Sequence, residues 1–269
     1  MVQIAPALPA GPGQPAAPLG VLEALGMGWR LMMSDFWGLW LPAFVLTLVL
    51  MAASNFGIIA AVLVQPPLMV GLYWLVARKI DGAPVKIGDV FEGFQQRFGQ
   101  SVVAWLPVSL VSLVFGVAIA VLVVVLVMPT MIGGMAIAGA GGHGDEEAIA
   151  AVVLLVLGIL VGGGLLLVIF MALFIFCLFF TFALPAVWDH PESGWEAMRV
   201  SARLVRSRFW SVLGLAILLM LIGIAANLVG MVACCIGVFF TAPAAMVWQA
   251  AAILYLYRSW TGRPLTQGA

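Results

Sequence analysis

The chain has 269 residues, 65% of them apolar and 8% charged, with a formal net charge of zero. A soluble domain is nearer half apolar and a quarter charged, so a mean hydropathy of +1.21 excludes an ordinary globular domain. Zero net charge leaves no long-range attraction for nucleic acid, and the length admits several membrane spans.

In chain order, residues 1–19 carry Pro6, Pro9, Pro12, Pro15 and Pro18 and no charge. Prolines at that spacing break the apolar core a secretory signal needs, so the segment reads as a flexible cytoplasmic tail. Four stretches then lack Asp, Glu, Lys and Arg: 36–77, 98–144, 148–188 and 209–257. A helix crosses a hydrocarbon core of about 30 Å in about 20 residues. Backbone groups in lipid must also bond within their own segment. The first and last stretches are each about twice that length, and each is expected to hold a helical hairpin of two spans. Pro66 and Pro67 fall in the second helix of the first hairpin, and Pro243 in that of the last. Each removes a backbone donor and is expected to kink its helix; such kinks either gate a path or reflect the tolerance of membrane helices for proline.

The middle of the chain is less regular. As one straight helix, 148–188 would be about 60 Å long, too long for a single crossing. Two crossings would put the basic segment after it on the opposite side. A single crossing is expected, its outer part running beyond or along the membrane, with a bend at Gly162, Gly163 and Gly164.

The two ends of the chain repeat one another. "EALGMGWRLMMSDFW" (23–37) aligns without a gap with "EAMRVSARLVRSRFW" (196–210), and "RKIDGAP" (78–84) with "RSWTGRP" (258–264). A third copy lies between them: "DVFEGFQQRF" (89–98) leads to "WLPVSLVSLV" (105–114), which echoes "WLPAFVLTLV" (40–49). Candidate N-caps stand three residues before a glutamate at Gly20 and Glu23, Asp89 and Glu92, and Ser193 and Glu196. The last pair has the form of a capping box. Ile87, Phe91, Phe94 and Phe98 make one apolar stripe at helical spacing, and Trp195, Met198, Val205 and Phe209 another. The expected fold is all-α: a polytopic transmembrane bundle of six spans in three hairpins, each preceded by a short interfacial amphipathic helix. Its units are 20–84, 85–188 and 189–264, together one transmembrane domain (20–264), with a tail at 265–269.

Cations fix the expected orientation. Arg30 precedes the first hairpin. Arg78, Lys79, Lys86 and Arg97 lie between the first and second, and Arg199, Arg203, Arg206 and Arg208 between the second and third. Arg258 and Arg263 follow the third. Cytoplasmic loops hold the excess of Lys and Arg, and an even number of spans with both termini in the cytoplasm puts every cation there. The expectation is a multi-pass protein of the bacterial cytoplasmic (inner) membrane. Nine of the ten tryptophans fall near the same predicted boundary, with Trp248 deeper, as indole favours the interface. Arg199, Arg203, Arg206 and Arg208 are expected to meet anionic lipid headgroups, at about 1 kcal/mol per cation.

Catalytic patterns are sparse. No ionisable residue lies inside the predicted spans, where coupled transport and intramembrane catalysis usually place one. Ser54, Asn55, Gln65, Ser109, Ser112, Thr181, Asn227 and Gln249 read as hydrogen-bonding between helices. "GHGD" (142–145) matches an intramembrane aspartyl protease signature on paper, but no second aspartate lies in a span. His143 with Asp145, Glu146 and Glu147, and Asp189 with His190 and Glu192, lack the spacing of a zinc site. Cys177, Cys234 and Cys235 read as apolar packing residues. No catalytic residue, metal site or cofactor is expected.

"PPLMVGLYWLVARKIDGAP", "DVFEGFQQRF" and "PESGWEAMRVSARLVRSRFW" resemble a group of prokaryotic polytopic membrane proteins. That group is similar to the membrane domain attached to some glycerophosphodiester phosphodiesterases. The resemblance spans about residues 20–262 and implies the architecture. The phosphodiesterase barrel and its metal-binding acids have no counterpart here, so the resemblance implies no activity. The expected role is organisational: binding anionic lipid, a membrane-protein partner or a second copy of itself. The alternative is a transporter or channel for a small neutral or amphiphilic solute, which predicts a polar cavity between the hairpins.

Overall fold

Gly20 begins the first helix, α1 (Val21–Ser34): its N–H donates to Glu23 Oε2 at 3.0 Å, one half of a capping box, because glycine has no side chain to complete it. Asp35 separates α1 from α2 (Phe36–Asn55) and caps α2 by accepting from the Gly38 N–H at 3.2 Å. The chain turns at Phe56 and Gly57 into α3 (Ile58–Ile80). Gly57 has φ 96°, a left-handed conformation that favours glycine. A 3-10 turn (Ile87–Phe91) and α4 (Glu92–Gln96) lead to α5 (Phe98–Leu122). Then come α6 (Asp145–Leu178), α7 (Ala183–Asp189), α8 (Gly194–Ser207), α9 (Phe209–Val232) and α10 (Ile236–Thr261). This computed structural model describes residues 18–124, 128, 132–133, 145–189, 193–232 and 236–262, and no strand occurs among them.

Among the described residues, five helices are long and apolar enough to cross a membrane: α2, α5, the segment Val156–Asp189, α9, and Gly237–Thr261 of α10. The chain is an all-helical, multi-pass membrane protein by this criterion. The helix is not interrupted at Gly162–Gly164. α6 runs unbroken for 34 residues, about 51 Å, because glycine permits a bend without requiring one. The break falls after Leu178, where Phe179 and Phe180 donate to Phe176 and Cys177 three residues back and tighten the helix end.

The chain divides into two compact units, one built from residues up to Ala104 and from Thr181 onward, the other Trp105–Phe180. The first has a solid core, in which Leu39, Leu68, Leu72, Phe182, Leu256 and Tyr257 are fully buried. Three packings make it. α1 lies antiparallel along α10: Leu19 N–H donates to Ser259 Oγ (2.8 Å), Trp248 Nε1 to the Leu25 carbonyl (2.8 Å), and the Phe36 and Phe240 rings meet at 5.6 Å. The 3-10 turn and α4 lie on α3, where a Cβ at Gly71 would run into the Val90 carbonyl and one at Gly93 into that of Pro67. Backbone touches backbone there, and only glycine fits. α8 lies on α7, with the Phe182 N–H donating to the buried Ser201 Oγ at 3.1 Å. In the second unit, by contrast, side chains along α5 and α6 such as Val114, Val117, Leu160 and Val168 are exposed.

The buried faces of the short helices differ from the sequence expectation. On α8, Met198 and Val205 are buried, but Trp195 is 54% exposed, and Gly194, Ala197 and Ser201 complete the packed face. In the middle copy Ile87 and Phe98 are exposed, while Asp89, Val90 and Gly93 face α3. The reason is that lipid is as apolar as a protein core. Large apolar side chains lose nothing by facing it, and small residues are needed where helices touch. The caps also differ. Asp89 is no N-cap: its carboxylate accepts from the Lys86 N–H (2.9 Å) and pairs with Arg78 (3.1 Å). Ser193 caps α8 by accepting from Trp195, while Glu196 turns to arginines instead of completing a box.

Candidate functional site

Three features of the first unit carry the chemistry. The first is the outer face of α8. Glu196 pairs with Arg199 at 3.6 Å and Arg203 at 3.2 Å, so two guanidinium groups share one carboxylate. Arg203 is 72% exposed at its side chain, and Arg206 is exposed at the end of the helix. Arg199 lies over the exposed Trp195 ring at 5.7 Å. Arg208, the residue closing α8, is half-buried over Trp260 at 5.1 Å, and Trp210 beyond it is 80% exposed. The helix has a buried face of small residues and an outer face of arginine and tryptophan. All four predicted arginines lie along this one helix and its end.

The second feature is an apolar groove of about 630 Å³ between α1, the start of α2, α9 and α10, lined by Trp29, Met32, Phe36, Leu221, Phe240 and Trp248 among others. Thr241 is its main polar contribution, and its hydroxyl is engaged with the Ala226 and Gly237 carbonyls. Pro243 is buried nearby in α10, and Pro66 and Pro67 are buried in α3; both helices continue through their prolines. Gln249 donates to Leu219 across to α9, whereas Ser54, Asn55 and Asn227 bond carbonyls of their own helices.

The third feature escaped the sequence. The last turns of α3, α7 and α10 enclose a cavity of about 280 Å³ bounded by Tyr73, Trp74, Asp81, Trp188, Asp189, Tyr257 and Arg258. Arg258 holds Asp81 with two hydrogen bonds, 2.5 and 3.0 Å. The Trp74 and Trp188 rings stack at 4.4 Å, and Trp188 Nε1 donates to the Val70 carbonyl at 2.9 Å. The other cations of α3 are tied elsewhere: Arg78 to Asp89, and Lys79 to Asp35 at 2.5 Å. The hydrogen bond from Lys79, helped by the Gly38 N–H, holds the Asp35 carboxyl below its ordinary value despite some desolvation. Repetition of Arg at 78 and 258 was the available signal for this cavity; its aromatic walls come from segments distant in sequence.

Among the described residues, no group of three His, Cys, Asp or Glu side chains could hold a metal. His143, His190, Glu192, Cys234 and Cys235 lie outside the described residues, as do the side chains of Glu146 and Glu147.

A family model described as a domain of unknown function, DUF7847, matches residues 30–257, and the chain belongs to that family. No curated protein and no solved structure matches it. The likeness to phosphodiesterase membrane domains therefore rests on the sequence patterns alone.

Proposed function

We propose that this DUF7847 protein is a non-enzymatic, lipid-binding organiser of the bacterial cytoplasmic membrane. It crosses six times in three hairpins, α3 supplying the sixth span, with both termini in the cytoplasm. The observation that carries this reading is the outer face of α8, where Arg199, Arg203 and Arg206 lie between the exposed Trp195 and, just beyond the helix, the exposed Trp210. Guanidinium groups attract anionic phosphates, and indole sits at the headgroup level. The repeat supports the arrangement. Gly28 and Ser201 hold matching places in the two end copies, and each lies where its short helix meets another segment of the first unit, Gly28 against Trp248 and Ala252 of α10 and Ser201 against Phe182.

The test replaces Arg199, Arg203, Arg206 and Arg208 with Gln and reads retention of phosphatidylglycerol against phosphatidylcholine by native mass spectrometry. Retention of the anionic lipid should fall roughly tenfold or more, given about 1 kcal/mol per cation less what Glu196 already neutralises. Unchanged retention would remove the proposal. The orientation is tested by Arg203→Cys, which should be labelled only from the cytoplasmic side; labelling from outside intact cells would reverse it.

The apolar groove favours one version of the alternative, a carrier of amphiphiles. The larger of the two cavities is apolar, not polar, so a carrier would take a hydrocarbon chain in preference to a hydrophilic solute. Filling the groove with Ala225→Phe should then abolish lipid exchange between vesicles, while leaving binding of anionic headgroups at α8 unchanged.

A further inference from the structure

The apolar groove between α1, the start of α2, α9 and α10 has a cation at its rim. Trp29, Met32 and Met33 form its α1 wall. Arg30 follows Trp29 and stands one turn before Met33, so it neighbours that wall on the helix surface. It is exposed, and among the described residues its side chain makes no hydrogen bond or ion pair. The repeat explains why. Arg30 holds the place of Arg203, and Glu23 that of Glu196. In the later copy Ser193 caps α8 with its own hydroxyl, which leaves Glu196 to pair with Arg203 at 3.2 Å. In the first copy Gly20 has no side chain, Glu23 turns back to the Gly20 N–H at 3.0 Å, and Arg30 is left without a carboxylate. Both ends of α1 are tied to charged helix ends: Leu19 to Ser259, next to Arg258, and Asp35 to Lys79. Arg30 between them is within snorkelling reach of the headgroup layer.

We propose that the groove seats one acyl chain of an anionic phospholipid, with the lipid phosphate on Arg30. Its volume of about 630 Å³ falls within the range of small-molecule sites, about 300–1,000 Å³. Its α9 wall runs from Leu218 to Val229, about 16 Å at the helical rise and close to one leaflet of a hydrocarbon core about 30 Å thick. Ala225 and Ala226 on α9 and Ala244 and Ala245 on α10 leave the room that larger side chains would fill. The Trp29 and Trp248 rings, 5.0 Å apart, mark the end beside Arg30, and Phe36 and Phe240 the other. A chain entering beside Arg30 therefore runs along apolar walls from its first carbons onward. The site rests on the lipid-binding reading above and adds to it a second place, distinct from the outer face of α8 and selective for the tail as well as the headgroup.

The full chain is placed in nanodiscs containing a trace of phosphatidylglycerol with a diazirine in one acyl chain, and after photolysis the labelled residues are mapped by mass spectrometry. Labelling should concentrate on the groove residues of α1, α9 and α10, in excess over the exposed faces of α5 and α6. Ala225→Phe fills the groove from an exposed position and should remove most of that excess. Arg30→Gln should lower it roughly fivefold, the effect of one cation near a headgroup, while Arg30→Lys keeps the charge and should retain most of it. The same probe built on phosphatidylcholine should label the groove less, and Arg30→Gln should change that labelling little. Even labelling of all the lipid-facing helices would overturn the site, as would phosphatidylglycerol labelling indifferent to Arg30→Gln. Diazirine-bearing palmitate that excess phosphatidylglycerol cannot displace would assign the groove to a free fatty acid, and a crosslink between two copies through Met33→Cys would assign it to a second chain; either overturns the proposal. Replacing Arg199, Arg203, Arg206 and Arg208 with Gln should leave groove labelling unchanged, which separates failure here from failure of the organiser reading at α8.

Discussion

The packed core of the first unit and the long helices of the second contain the same kinds of residue and use them in opposite ways. Around Gly28, Gly71 and Gly93, small residues bring backbones into contact, and Leu68, Leu72 and Tyr257 are buried. Along α6, Leu160, Leu167, Val168 and Phe170 point outward, and a Cβ at Gly163 or Gly164 would meet nothing within 4 Å. Hydrophobicity does not tell the two apart; side-chain size does. In a bilayer the apolar solvent competes with the apolar core, so steric fit decides where helices join.

That contrast can be broken most sharply at its tightest point. Gly71→Leu places a side chain against the Val90 carbonyl and should cost roughly 3 kcal/mol or more, the upper range for overpacking. Loss of monodisperse protein on size exclusion, or a large fall in unfolding temperature, is the readout. Gly164→Leu in α6 should change neither; an equal loss would show that the long helix is packed in the membrane after all. A smaller effect tests volume in place of collision. Tyr257→Ala in the core should cost about 3 kcal/mol, by analogy with buried aromatic truncations. Leu160→Ala on α6 should stay within about 0.5 kcal/mol. Comparing the two unfolding midpoints in one detergent is sufficient.

The smallest effect concerns charge at the margin of the core. Asp35 has its folded-state acidity strengthened by Lys79, so its contribution is present above the ordinary aspartate value of 3.8 and is lost as pH falls through the lower folded value. The carboxylate is 37% exposed, so solvent screening limits the contribution to a fraction of a kcal/mol. Unfolding midpoints measured from neutral pH to below 3.8 should fall a little more steeply at the acid end for the native chain than for Asp35→Asn. Parallel curves would show that the ion pair adds nothing.

Much of this was legible in the chain. Charge-free stretches located α2, α5, α9 and α10, because a bilayer excludes ions whatever the tertiary arrangement. The matching segments 23–37 and 196–210 fell on α1 and α8 with their following helices. The faces of the short helices were not legible. A stripe of Phe and Trp marks the buried side only when the solvent is water, and Trp195 and Phe98 are exposed on the short helix and at the start of α5. Nor could Asp89 be read correctly, since its partner Arg78 lies across a turn and nothing local distinguishes a cap from a buried ion pair. The cavity was hidden for a third reason: Trp74, Trp188 and Tyr257 are brought together by three separate helices.

The antiparallel seat of α1 on α10 sets the order in which the protein can be made. Leu19 and its partner Ser259 are 240 residues apart, which at about 5–20 residues per second is roughly 10–50 s of translation. Throughout that interval α1 has no mate, and its glycine-notched face must be sheltered by lipid or by the insertion machinery. A chain stopped before Ile236 would strand it permanently.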